Sequence, residues 1–346
     1  MKKSILQSEI EEQPDRIEKL LKSEKSNVNL IAKSINGKFN YIVIAARGTS
    51  DNAARYAQYL FGIHNNLQVA LATPSVISIY GHTPNMVGAL VIGISQSGRS
   101  PDIVSVLESG KKQGCPTLAI TNDPQSPLAL ASDFIIPLHA GEEKAVAATK
   151  TYSSSLVTLA MLSCAFNKDQ VGFTALEQMP VTMAKVFDTI IPSIFRTERY
   201  RYMDHCSVIG RGYNYSTAFE IALKIKELTR VIAEPYSSAD FRHGPIATAQ
   251  KGSPVLMIAP SGVIYKDIRD LAQNLKQKMV EMIIISDNPE LLSLAEFPLL
   301  IPENIPEWLS PLAAVLPGQL FAMYLASVKG LNVDQPEGLN KVTITM

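Results

Sequence analysis

The chain has 346 residues, which is enough for two domains of ordinary size, each with its own hydrophobic core. Its 32 Lys and Arg residues balance its 32 Asp and Glu residues, so we expect no global basic field and no nucleic-acid partner. The charged opening residues and the lengths of the apolar runs predict neither a signal peptide nor a membrane-spanning segment. Widely spaced cysteines predict reduced thiols in a cytoplasmic protein, without disulfides or a metal site: Cys115, Cys164 and Cys206.

The predicted elements begin with an amphipathic helix over residues 1–25, which is rich in Glu and Lys. A strand over Tyr41–Ala45 follows and ends in a loop with a glycine and two hydroxyl side chains, ahead of a helix through Arg55–Phe61. Glycine permits a close backbone approach, and hydroxyl and amide groups at a helix N-terminus bind anions. We therefore predict anion binding by the residues of this loop, which are Arg47, Gly48, Thr49 and Ser50.

The next loop follows an apolar run over residues 89–94 that is typical of a buried parallel strand. Ser100 is the predicted N-cap of the following helix, with Pro101 at its first position and Asp102 in its first turn. Polar side chains and backbone N–H groups then converge at the positive end of a helix dipole, which predicts a phosphate site. An ordinary, well-capped loop has the same pattern, so this loop alone leaves both interpretations open. The residues concerned are Ser95, Gln96, Ser97, Gly98 and Ser100.

Three landmarks of the first half recur in the second half at a constant offset of 211 − 47 = 164 residues: Arg47 and Arg211, Gly98 and Gly262, Asp123 and Asp287. The recurrence predicts a duplicated domain. Each copy alternates apolar strands with helical stretches, which predicts an α/β fold with a parallel sheet covered by helices on both faces. Ligands of such sheets bind beyond the carboxyl ends of the strands. We place the copies at residues 26–170 and 195–332, joined by a connecting helix over 171–194.

The second copy differs from the first in carrying Glu220, Lys224 and Glu227 on one face of a predicted helix. An exposed salt-bridge ladder is one interpretation. The rest of this helix is apolar, however, and buried carboxylates and amines need partners or a function. His243 lies in a loop dense with Ser, Asp, Gly and Pro, which makes it a candidate acid–base partner for a buried Glu. The polar tail over residues 333–346 contains Lys341, which its composition alone does not single out.

Six ordered motifs across the chain resemble the sugar isomerase (SIS) domain superfamily. Within it they are similar to the double-SIS isomerase half of glucosamine-6-phosphate synthase. The resemblance implies two tandem SIS domains, a tail that completes the active site, and a phosphorylated amino sugar as substrate. The motifs are Arg47–Ser50, Ser95–Gly98, Val146–Lys150, the Glu220, Lys224 and Glu227 set, His243–Pro245, and Val333–Pro336 with Lys341.

The resemblance also implies how the substrate is held. The sugar phosphate is expected to bind to a set of polar residues, with Val146 lining the site. These residues are Ser50, Ser95, Gln96, Ser97 and Ser100. Neither a metal nor another cofactor is expected, because proton transfer on a positioned substrate is general acid–base work.

The catalytic roles follow from the same resemblance. Glu227 is expected to move a proton between C1 and C2, with Lys224 supporting it and Glu220 orienting the cluster. His243 is expected to open the pyranose ring, and Lys341 to contact the open-chain sugar or to form a Schiff base with a ketose. In such families this histidine is contributed across a dimer interface, which implies a homodimer.

Two departures from the synthase matter for the reaction. The synthase has a glutaminase domain with a cysteine at its mature N-terminus, whereas the first cysteine here is Cys115, so we expect no glutaminase. Arg99 takes a position where the synthase has an acidic residue, and the segments 98–102 and 140–146 look more like stand-alone type II glucosamine-6-phosphate deaminases. The expected reaction converts glucosamine 6-phosphate to fructose 6-phosphate and ammonia.

Three alternatives stay open at the level of sequence. A deglycase acting on fructosamine 6-phosphates and a ketose/aldose isomerase of amino sugars would both bind the phosphate end of their substrate, so the phosphate loops do not distinguish them. A non-catalytic sugar-phosphate sensor is the alternative of another class. Sensors of this kind generally carry a helix-turn-helix module, for which the segment before the first copy leaves little room. The combination of Glu227, His243 and Lys341 also favours an enzyme.

Overall fold

The computed structural model describes residues 3–341. They fold into two compact units, each built from segments that are distant in sequence. Of the described residues, the first unit comprises Asp15–Glu143, Lys150–Gln178 and residues 340–341. The second unit comprises residues 3–14, Lys144–Thr149 and Met179–Leu339. The continuous domain boundaries drawn from the sequence stay a prediction.

The N-terminal segment forms two helices, α1 (Ile5–Glu11) and α2 (Gln13–Ile35). The helical region therefore extends ten residues beyond residue 25 (35 − 25 = 10), where the sequence analysis ended it. Ser4 caps α1, since its Oγ accepts a hydrogen bond of 3.0 Å from the backbone N–H of Gln7.

The first unit contains a parallel sheet whose strands are flanked by helices. In chain order its elements are β1 (Tyr41–Ala45), α3 (Thr49–His64), β2 (Gln68–Leu71), α4 (Ser75–Ser78), β3 (Ala89–Ser95), α5 (Pro101–Lys112), β4 (Thr117–Thr121), α6 (Pro127–Ala131), β5 (Phe134–Pro137) and α7 (Lys150–Asn167). The strand order is β2-β1-β3-β4-β5. The central strand β3 is buried at every residue, which confirms the interpretation of its apolar run.

The second unit repeats this architecture. After α8 (Gln170–Ile190) and a 3₁₀ helix over Ile194–Tyr200, its elements are β6 (His205–Gly210), α9 (Tyr215–Thr229), β7 (Ile232–Ser237), α10 (Ser238–Arg242), β8 (Pro254–Ile258), α11 (Tyr265–Gln277), β9 (Glu281–Ser286), α12 (Pro289–Leu292), β10 (Phe297–Leu300) and α13 (Ser310–Val328). Shorter 3₁₀ turns cover Gly212–Asn214, Pro245–Thr248 and Glu307–Leu309. The strand order is β10-β9-β8-β6-β7, again entirely parallel.

The two sheets have the same topology when the second is read from its other edge, as β7-β6-β8-β9-β10. The first residues of β1 and β6 are separated by 205 − 41 = 164 positions, and those of β4 and β9 by 281 − 117 = 164. The duplication predicted from three sequence landmarks is therefore confirmed, as are the α/β class and the parallel sheets.

Helix α13 corrects one expectation. The stretch Glu307–Val328 is long and apolar enough to cross a membrane by length and composition, whereas the sequence analysis expected no such segment. It is the one helical stretch among the described residues that meets this criterion, and 83% of its apolar 18-residue window is buried within the protein. It packs against α9 and β9 of its own unit, which is the environment of a core helix.

The three cysteines are buried and free in the described chain. Burial raises the pKa of the Cys206 thiol to about 12, and burial together with the charge of Asp169 does the same for Cys164. Thiols with such pKa values stay protonated and unreactive at neutral pH. This agrees with the prediction of structural thiols.

Candidate active site

An ion pair joins the two predicted anion-binding loops of the first unit. Arg47 follows β1, and its Nε and Nη2 atoms lie 2.9 and 2.8 Å from Oδ2 of Asp102, in the first turn of α5. The Asp102 side chain is completely buried, while that of Arg47 is 49% exposed. Because β1 and β3 are neighbours in a parallel sheet, the loops at their carboxyl ends meet at one edge. The pair holds them together.

The loop after β3 forms a tight turn at Gly98. The backbone N–H of Gly98 donates a hydrogen bond of 3.1 Å to Oγ of Ser95. Gly98 has φ +61°, and a Cβ atom at this position would lie 2.1 Å from Oγ of Ser126, so only glycine fits. Ser100 is the N-cap residue of α5, with Pro101 at the first helical position as predicted, although the Ser100 side chain makes no capping hydrogen bond.

A cavity of about 270 Å³ opens at this turn. It brings together two residues of the predicted phosphate loop and the predicted catalytic lysine from the C-terminal tail. Lys341 Nζ lies 3.6 Å from Oε2 of Glu143, a completely buried carboxylate. Glu143 in turn accepts hydrogen bonds from the backbone N–H and Oγ1 of Thr151, at 3.2 and 3.0 Å. The lining residues include Gln96, Ser97, Arg99, Glu142, Glu143 and Lys341.

The loop after β1 lines a different cavity of the first unit, of about 320 Å³. Arg47 and Gly48 contribute to it, together with Arg55 and Thr73. Thr49 and Ser50 form the first turn of α3 and are partly buried. Of the predicted phosphate-binding residues, Gln96 and Ser97 therefore line one cavity. Arg47 and Gly48 line the other.

The charged residues of α9 form a buried cluster in the second unit. Lys224 Nζ lies 2.5 Å from Oε2 of Glu227 and 3.5 Å from Oε1 of Glu220. The Lys224 and Glu220 side chains are 1% and 0% exposed, whereas Glu227 is 25% exposed. The interpretation as a solvent-exposed ladder is wrong. Of the three side chains, Glu227 is the one that reaches solvent, so it is the one a substrate could meet.

The first copy shows that the fold does not need these charges. At the offset of 164 residues, Glu220 and Lys224 correspond to Tyr56 and Leu60 of α3 (220 − 164 = 56, 224 − 164 = 60), and both of these are buried. Burying an ion pair costs desolvation energy that apolar side chains of similar volume avoid. Stability therefore does not explain why α9 buries these charges.

His243 is the C-cap residue of the short helix α10 and is exposed to solvent. Its backbone N–H donates a hydrogen bond of 3.0 Å to the carbonyl of Asp240. Within residues 3–341, the imidazole ring makes no hydrogen bond or ion pair with another side chain. Pairing with a buried Glu stays a prediction.

A network around Asp267 lies beside His243, and the sequence analysis missed it. Asp267 Oδ2 is 2.9 Å from Nη1 of Arg211, and Oδ1 is 3.0 Å from Nη1 of Arg242. Ser238 Oγ also donates a hydrogen bond to this carboxylate. Burial raises the pKa of Asp267, but the hydrogen bonds from Ser238 and Arg211 and the charges of both arginines outweigh this effect and hold the pKa below its ordinary value. The recurrence of arginine at positions 47 and 211 was the one sequence feature that pointed to this network.

Val146 lies in the second unit, next to the tail. Its backbone N–H donates a hydrogen bond of 3.1 Å to the carbonyl of Asp334. The Asp334 carboxylate accepts hydrogen bonds of 3.2 and 2.8 Å from the N–H groups of Ile5 and Leu6 at the start of α1. Further along the tail, Glu337 pairs with Arg230, three residues after Glu227. The tail thus connects the Val146 segment to the end of α9.

The chain belongs to the SIS domain family, which it matches twice, over residues 38–165 and 202–329. By sequence it is homologous to part of glutamine–fructose-6-phosphate aminotransferase (isomerizing). The enzyme of that name from Aquifex aeolicus is 33% identical over 99% of this chain. The chain spans 58% of that relative's length.

Two solved structures extend the comparison. The C-terminal domain of glucosamine-fructose-6-phosphate aminotransferase from Francisella tularensis is 27% identical, with a TM-score of 0.88 over 97% of this chain and 99% of that one. A glucosamine-6-phosphate deaminase from Thermotoga maritima has a TM-score of 0.79 over 99% of this chain and 100% of that one. At 21% identity, the second likeness concerns the fold alone.

Proposed function

We propose that this protein converts glucosamine 6-phosphate to fructose 6-phosphate and ammonia. Ring opening exposes C1 as an aldehyde and makes the C2 proton acidic. A carboxylate removes that proton, and return of a proton to C1 converts the enolamine to a ketimine. Water then adds at C2 and ammonia leaves. Ring opening, the two proton transfers, the addition of water and the loss of ammonia all respond to general acid–base catalysis, so positioned acid–base groups suffice.

The observation that carries the proposal is the Glu220, Lys224 and Glu227 cluster on α9. Glu227 is the partly exposed member, and we assign to it the transfer between C2 and C1. Lys224 Nζ lies 2.5 Å from Oε2 of Glu227 and so holds this carboxylate in place. Glu220 balances the second side of Lys224, so that the cluster keeps one orientation.

The phosphate end of the substrate is assigned to the turn after β3. Backbone N–H groups and hydroxyls at the start of α5 suit a dianionic group. The Aquifex aeolicus relative is named for a reaction on fructose 6-phosphate, which is the product proposed here. Lys341 lines the same cavity as Gln96 and Ser97, and its amine is assigned to the open-chain sugar, by contact or as a Schiff base with the ketose.

His243 is assigned to ring opening, and we propose that it acts within a homodimer. Its exposure in the single chain supports a role that a second copy completes. A cytoplasmic location is part of the same proposal, supported by buried thiols that are free.

The test is the release of ammonia from glucosamine 6-phosphate by the purified chain, without glutamine or added metal. We expect ammonia and fructose 6-phosphate in equal amounts. If neither appears, fructosamine 6-phosphates are the next substrates, and their cleavage would identify a deglycase. Interconversion of aldose and ketose without ammonia would identify an isomerase. Binding of all these sugars without turnover would contradict an enzyme and identify a sensor.

A further inference from the structure

Asp267 lies where three elements of the second unit meet. It is in the first turn of α11, and its carboxylate is 2.9 Å from Arg211, which follows β6. It is also 3.0 Å from Arg242, the last residue of α10. Arg242 contacts the Asp267 backbone as well, since Nη2 donates a hydrogen bond of 2.7 Å to its carbonyl. The Arg242 guanidinium therefore contacts both the side chain and the backbone of Asp267.

The segment that Arg242 holds has little stability of its own. Helix α10 has five residues, too few to be stable without tertiary contacts. Phe241 fixes one side of it, since its ring is completely buried. On the other side, Arg242 bridges the carbonyl of Ser238 and the Asp267 carboxylate at 2.9 and 3.0 Å. The next residue is His243, whose exposed ring makes no side-chain hydrogen bond within residues 3–341. The placement of that ring depends on the backbone before it.

We propose that Asp267 is a positioning residue for His243, acting through Arg242. It fixes the end of α10 against the loop after β6 and the first turn of α11. The imidazole is thereby presented in one orientation to the sugar ring. This inference rests on the proposed role of His243 in ring opening.

The first copy supports the assignment by contrast. Asp102 lies in the first turn of the matching helix α5, one position before the residue that matches Asp267 (267 − 164 = 103), and it pairs, among the described residues, with one arginine, Arg47. The position that matches Arg242 is Ser78 (242 − 164 = 78). The second arginine thus occurs in the copy that carries the candidate acid–base histidine.

The test compares Asp267→Asn with Asp270→Asn, which makes the same change on the same helix at an exposed pair with Arg269. Two substrates separate the steps. Glucosamine 6-phosphate needs ring opening, whereas its 4,5-dideoxy analogue lacks both hydroxyls that could add to C1 and therefore closes neither a pyranose nor a furanose ring. We expect Asp267→Asn to lower kcat on glucosamine 6-phosphate about 10- to 100-fold with little change in KM, as a slightly displaced catalytic group does. Turnover of the analogue is expected to stay within about twofold of wild type, and Asp270→Asn to match wild type on both substrates.

Several results would overturn the inference. Equal losses on both substrates would indicate general damage, and no loss on either would remove Asp267 from catalysis. If Asp267→Asn does not fold, Arg242→Ala tests the same contact while leaving the Arg211 pair in place.

Failure of the proposed function is recognised separately, because wild type is then inactive on both sugars. In that case, amide hydrogen exchange of residues 238–244 decides. Faster exchange in Asp267→Asn than in Asp270→Asn supports positioning, and equal exchange contradicts it.

Discussion

The two copies of the fold use the same turn in opposite ways. In the first copy the turn after β3 borders a cavity with Gln96 and Ser97 on its wall. In the second copy the matching turn after β8 is occupied by the protein itself. The backbone N–H groups of Val263 and Ile264 donate hydrogen bonds of 2.9 and 3.5 Å to the Glu307 carboxylate. A side-chain carboxylate thus fills the place where an anion could bind.

The matching helices α3 and α9 also differ, but here it is the second copy that carries the polar side chains. Helix α3 of the first copy has Tyr56 and Leu60 where α9 of the second has Glu220 and Lys224. The first copy therefore has a turn that borders a cavity and an apolar helix. The second copy has a turn whose N–H groups bind Glu307, and a charged helix. The comparison teaches that the duplication preserved the backbone while the side chains at the turn and on the helix diverged, which is the pattern expected if the proposed binding and proton transfer use different copies. Three variants test this division.

The largest effect is expected from Glu227→Gln. The amide keeps the size of the side chain but accepts no proton, so kcat should fall about 10²- to 10⁴-fold while KM stays near that of wild type. Steady-state kinetics on glucosamine 6-phosphate measure both, with Glu303→Gln, an exposed site of the same unit, as the control. Normal turnover would mean that Glu227 does not transfer the proton.

A smaller effect is expected from Ser97→Ala, which removes one hydroxyl from the cavity of the first copy. A lost hydrogen bond to a charged group should raise KM about tenfold, with kcat little changed. The matched variant is Ser261→Ala, at the same position of the second copy (97 + 164 = 261), and it should leave KM as it is. Equal changes in KM for the two variants would contradict the assignment of phosphate binding to the turn of the first copy.

The smallest kinetic effect is expected from Glu307→Gln. Loss of the carboxylate weakens two hydrogen bonds at the filled turn, so the free energy of unfolding should fall by about 1 kcal/mol. Both kcat and KM should stay at wild-type values, because the turn is not assigned to substrate. Denaturant unfolding and steady-state kinetics measure these quantities. A raised KM would show that the second turn also takes part in binding.

The sequence alone determined the elements and their repetition. The apolar run before Ser95 predicted a buried strand, and Ser100 and Pro101 marked the start of α5, since strand periodicity and helix capping are local properties. A constant offset of 164 residues was enough to predict two like sheets. The charge pattern of residues 220–227 also located the charged helix, because three charges on one face of an apolar helix stand out without knowledge of the fold.

Only the tertiary structure decided which side chains meet. Glu143 and Lys341 are almost two hundred residues apart (341 − 143 = 198), yet their side chains pair. Glu307 looked like any charged residue near a turn, and Asp267 like any acidic residue in a first helical turn. Such pairings depend on how distant segments pack, and no pattern of neighbouring residues encodes them. The physical reason is that hydrogen bonds and ion pairs act over a few ångströms in space, whatever the separation along the chain.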